Sequence, residues 1–130
     1  MPNTPTFMSL HLRYRLWIAE LNNDITILRI FGDYLEELQG KKINAQVKND
    51  SDRFKKDFVQ QRMEMDELKH VMHLLKMKLA ADARQMSSLS RKTFLEDKHT
   101  DLKKRYLAFR KSFDKIKKDF VQFTVTAYTY

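Results

Sequence analysis

The chain has 130 residues with 2 Gly, 2 Pro and no Cys; 42% of it is apolar and 32% charged. So few turn formers argue against sandwiches and barrels and for one all-α domain built from a few long helices. The missing cysteine removes disulfides, thiolate metal sites, iron–sulfur clusters and thiol catalysis, and the net charge of +8 speaks to partners rather than to fold.

The charge is uneven. Residues 1–40 carry three basic and five acidic side chains (−2), residues 41–90 eleven and seven (+4), and residues 91–130 eleven and five (+6). No window reaches the roughly 18 uninterrupted apolar residues of a membrane span, and the first residues lack a compact apolar run behind a basic start. A cytoplasmic protein is the expectation.

Residues 1–8, with Pro2 and Pro5 among Asn and Thr, read as a flexible leader, and Ser9 reads as an N-cap. The first helix is expected over 10–39. Leu10, Tyr14, Trp17, Leu21, Leu28, Phe31, Leu35 and Leu38 follow a 4-3 alternation, with Asp24 the one polar entry. Gly40 reads as the stop, and Gly32, costly inside a helix, as a point of close helix–helix approach.

The second helix is expected over 43–86, with its first residues, 43–50, open between helix and loop. Val47, Ser51, Phe54, Phe58, Gln61, Met65, Leu68, Met72, Leu75, Leu79, Asp82 and Met86 continue the alternation. Ser87, Ser88 and Ser90 mark a connection. Thr93 and Glu96 have the spacing of a capping box, so the third helix is expected over 93–123. Its seam is Leu95, His99, Leu102, Tyr106, Phe109, Phe113, Ile116, Phe120 and Phe123, followed by a tail over 124–130. Short connections make neighbours antiparallel, which predicts an elongated antiparallel three-helix coiled-coil bundle over 9–123.

Three features are candidates for function. The first helix carries a second apolar set, Leu12, Leu16, Ile27, Ile30 and Tyr34, so that its apolar arc exceeds what a bundle helix needs. This points to a protein–protein surface, most simply self-association about a two-fold axis; the alternative is coverage of both faces within one chain. The second helix carries an outer 4-3 row, Val59, Met63, Asp66, His70, His73 and Met77, where adaptable methionines suit a contact; Met63, His70 and Met77 are expected to join the first helix's spare face in one interface. Glu67, His70 and His73 are also candidate metal ligands, since a Glu-x-x-His pair is half of a di-iron set. His99 and Glu96 supply the only other such pair.

In the third helix, Lys103, Lys104, Arg110, Lys111, Lys117 and Lys118 recur in pairs every seven residues, a positive ridge about 20 Å long by the helical rise. It suits phosphates of nucleic acid or an anionic membrane surface. The aromatics interleaved with it lie on the core side, leaving backbone electrostatics rather than base stacking. Seams filled with Leu, Ile, Phe and Met leave little room for a catalytic pocket, so no catalytic residues, cofactor or small-molecule substrate are expected. The leading expectation is a non-enzymatic interaction or scaffold subunit that self-associates, with the anion-binding module second and a metal-binding bundle third.

Overall fold

The computed structural model describes residues 7–84 and 89–128, the side chains of Phe7 and residues 82–95 excepted. The described residues form three helices in chain order: α1 (Phe7–Gln39), α2 (Ala45–Arg84) and α3 (Leu89–Ala127). At 1.5 Å per residue they are about 50–60 Å long. Late α1 meets early α2 through Phe31–Phe58 and Gln39–Asp52, so these two are antiparallel. Tyr14–His99, Phe31–Phe120 and Tyr34–Tyr128 run in step, so α1 and α3 are parallel and α2 opposes both. The result is an up-down-up three-helix bundle, and no strand occurs among the described residues.

The 4-3 positions form the interior. Tyr14, Leu21, Leu38, Met65, Leu68, Met72, Leu79 and Phe113 are almost fully buried. Phe31, Phe54, Phe58, Phe120 and Phe123 pack ring against ring, with centroids 4.8–6.1 Å apart. Below them Leu38, Val47 and Ala127 close the end of the bundle with Ile43 and Tyr128. None of the three helices is long and apolar enough, over the described residues, to cross a membrane.

Several boundaries differ from the sequence reading. α1 begins at Phe7, so Ser9 lies inside the helix rather than capping it. α1 ends at Gln39 as expected, but Gly40 is not left-handed. Its amide still bonds Glu36 and Glu37, and Lys41 N–H bonds the Leu38 carbonyl, a tightening last turn that needs no positive φ. α2 is capped by Asn44, whose Oδ1 accepts from Val47 N–H at 2.8 Å, and continues unbroken through Asp50 and Ser51. α3 is already helical at Leu89, four residues before Thr93, so the capping-box spacing marks no helix start. It runs on to Ala127, and the expected tail over 124–127 is its last turn. Residues 1–6, Met86, Ser87, Ser88 and 129–130 lie outside the described residues, as do the side chains of Asp82, Thr93 and Leu95.

Gly32 is the clearest reversal. A Cβ built there meets nothing within 4 Å, so no close helix approach among the described residues explains this glycine.

Candidate functional site

Among the described residues the buried polar side chains are Asp24 and His99, which lie between α1 and α3, and Ser51 on α2. His99 is buried, stacked on Trp17 with centroids 5.9 Å apart, and its Nδ1 lies 2.9 Å from the Tyr14 hydroxyl. Burial, with Arg13 and Lys103 nearby, lowers the His99 pKa. Burial pushes the Tyr14 hydroxyl up to about 12 against the opposing pull of Arg13. The His99 tautomer sets which of the two groups donates in this hydrogen bond, since phenol and neutral imidazole can each do either.

Two turns further on, the Tyr106 hydroxyl donates to Glu20, and Arg110 Nη2 donates to the Tyr106 oxygen at 2.7 Å. The same guanidinium lies 3.4 Å from Glu20 and 2.7 Å from Asp24 Oδ2. Its N–H is not aimed along the Asp24 contact, so charge rather than a directed hydrogen bond makes that pairing. Burial opposes the charge on Arg110, but Asp24 and Tyr106 outweigh it and raise its pKa. Burial and Glu20 raise that of Tyr106. Trp17 stacks on Tyr106 at 4.7 Å. Packed on one another in this way, these groups hold α1 and α3 in register. They answer what the seam aspartate Asp24 is for: its partner is Arg110, one of the six basic residues read as an outward ridge.

Arg110 is therefore removed from that ridge, since it turns inward and rests against Tyr106 and Phe109. Lys117 is half-buried, 3.3 Å from Asp114 and over the Phe113 ring. Lys103, Lys104, Lys111 and Lys118 remain exposed.

The spare apolar residues of α1 are sorted by the helical register. Glu20 touches α3, so Ile27 and Tyr34, seven and fourteen residues on, lie along the same flank. Leu16 and Ile30 lie one row further out. Leu16, Ile30 and Tyr34 are 55%, 49% and 54% exposed, while Ile27 is partly buried against the core. Tyr128 reaches across to the Tyr34 carbonyl, which places the α3 row of Leu107 and Val121 beside this flank. Both are exposed, and neither was singled out in the sequence. The signal that finds them is the seven-residue spacing back from Tyr128. Leu12 is exposed further round, in the row of Thr26 and Asp33.

Met63, His70 and Met77 are exposed on the outer row of α2. The polar sector of α1 (Arg15, Asn22, Arg29, Glu36) separates them from Leu16, Ile30 and Tyr34, so the two sets do not form one continuous surface. Glu67, His70 and His73 are exposed as well. Burial and the charges of Lys76, Lys69 and His70 lower the pKa of His73. His99 faces α1 from inside the bundle, and no group of three or more His, Asp or Glu among the described residues is placed to hold a metal.

On the other side of α1 a hollow of about 490 Å³ opens between α1 and α2. Leu35 and Phe58 line its floor, Gly32, Val59 and Met63 its walls, and Glu36, Gln39, Lys55 and Arg62 its rim. Comparison of the chain with protein-family models, curated proteins and solved structures finds no match.

Proposed function

We propose that this bundle is a non-enzymatic interaction or scaffold subunit that self-associates through the α1 flank facing α3. One observation supports this most: Leu16, Ile30 and Tyr34 stay about half exposed beside Leu107 and Val121 when the three helices are already packed. Exposed apolar side chains grouped along one flank favour a protein contact over water. Tyr34 suits such a contact, since its ring buries apolar area while its hydroxyl finds a polar partner. A two-fold axis lets one flank serve both copies.

Sedimentation equilibrium across micromolar concentrations tests the reading. The expected result is a reversible dimer that Ile30→Lys converts to a folded monomer. Ile30 is the better probe than Ile27, whose partial burial mixes association with core packing. A monomer throughout the range would remove the proposal. The anion-binding alternative now rests on Lys103, Lys104, Lys111 and Lys118 alone; it requires salt-dependent binding of duplex or anionic vesicles that charge reversal at Lys104 and Lys111 abolishes.

A further inference from the structure

We propose that the groove between α1 and α2 receives a fourth helix, an acidic amphipathic helix contributed by a different protein. Three observations converge there. The first is Gly32, which carries the intrinsic penalty of glycine in a helix interior, has an ordinary right-handed backbone, and faces open space where its Cβ would be. No described residue uses the room it leaves. The second is the hollow around it, with a buried apolar floor of Leu35 and Phe58 and an exposed wall of Val59 and Met63. An apolar knob from a neighbouring helix fits such a hole.

The third is the lip. Lys48, Lys55, Arg62, Lys69 and Lys76 stand seven residues apart on α2. Lys55 and Arg62 line the hollow, which places the row along the α2 edge of the groove. Asp52 stands between Lys48 and Lys55 at one end, where it accepts from Gln39 of α1. Successive charges are about 10.5 Å apart and the row is about 42 Å long. Arg62 is paired with Asp66 at 3.1 Å, in an exposed i,i+4 contact that a partner can replace. The opposite lip adds Arg15 and Arg29, with Glu36 as its acid.

The occupant follows from these features. A two-turn charge repeat matches acidic residues every seventh position on a helix lying along the groove, and only a helix also brings an apolar knob to Gly32. A nucleic acid duplex has no such knob. A second copy does not supply the acids: its own row, Asp50, Asp57 and Glu64, is turned toward α3, where Arg105 grips Glu64 at 2.7 and 3.0 Å.

The test uses the full chain and a labelled four-heptad peptide with leucine on its seam and glutamate on both flanks, which repels its own copies. Fluorescence anisotropy is expected to give saturable one-to-one binding that weakens with salt. Lys55→Glu with Lys69→Glu should weaken it at least tenfold. Gly32→Leu, which fills the hollow, should do the same while circular dichroism and thermal melting stay intact. Met63→Glu gives the same loss from an exposed site if Gly32→Leu disturbs the fold. A peptide with lysine in place of every glutamate should not bind. The proposal is overturned if the acidic peptide does not bind, if it binds Gly32→Leu and Met63→Glu undiminished, or if duplex DNA alone binds through the lysine row. Ile30→Lys lies on the far flank and should leave peptide binding unchanged, so failure here is separable from failure of self-association through the α3-facing side.

Discussion

The two sides of α1 are held in different ways. Toward α2 the backbones run close together, and the shared seam is mostly aliphatic and thioether, with Leu21 and Leu28 at the level of Met65 and Leu68 and with Phe31 and Leu35 beside Phe58. Toward α3 the axes stand further apart, and long side chains bridge the space: Tyr14 to His99, Trp17 to Tyr106, Glu20 and Asp24 to Arg110. A close aliphatic seam derives its strength from buried area and tolerates sliding, because dispersion and water exclusion have little direction. A bridged seam contributes less net free energy per group but fixes which turn faces which, because a buried charge left unpaired is expensive.

Substitutions on each side sharpen this contrast. Leu68→Ala, at a fully buried site in the close seam, should lose about 3–4 kcal/mol of unfolding free energy in urea titration with the helical spectrum retained. Arg110→Met should lose about 3 kcal/mol, since it strands Asp24 in the interior. Adding Asp24→Leu should recover most of that loss; a double variant no better than the single would mean the pair is not the bridge described above. Gly32→Ala should gain about 1 kcal/mol, as the new methyl meets no neighbour. A loss there would mean the hollow is closed in solution.

The smallest effect is in pH. The His99 pKa is lowered in the folded chain from the ordinary 6.5. The unfolded chain therefore binds the proton more readily, and the contribution is complete above about pH 6.5 and is lost as pH falls through the folded value. Stability against urea should decline on acidification, and His99→Phe should flatten that decline. The difference between the two proteins isolates His99 from His73, whose pKa moves in the same direction.

Most of the architecture was legible because burial in a long helix leaves a periodic trace. The 4-3 positions of α1 and α2 with described side chains, from Leu10 to Leu79, lie in the seams, including polar Asp24 and Ser51. The exposed set on α1 was legible for the same reason: a residue on the wrong side of a stripe has nothing in its own helix to cover it. Arg110 misled because a cation one position beyond a seam aromatic can swing either way, and only the carboxylates of Asp24 and Glu20 on another helix decide which. Thr93 and Glu96 misled because a four-residue capping pattern is compatible with a helix that has already begun. Gly32 misled because glycine in a helix signals proximity of something, and the sequence does not say whether that something belongs to the same chain.

Local chemistry and spacing were enough to determine three long helices, their seams and the surplus apolar arc of the first, since helical periodicity is written in each segment by itself. Tertiary packing alone decided which neighbour each flank met. It turned Arg110 inward onto Asp24, set the row of Leu107 and Val121 along the α3-facing flank of α1, parted the Met63–His70–Met77 row from that flank, and left Gly32 facing an open groove. These outcomes depend on where two other helices stand, and that is settled by the sum of many weak contacts across the bundle rather than by any one stretch of chain.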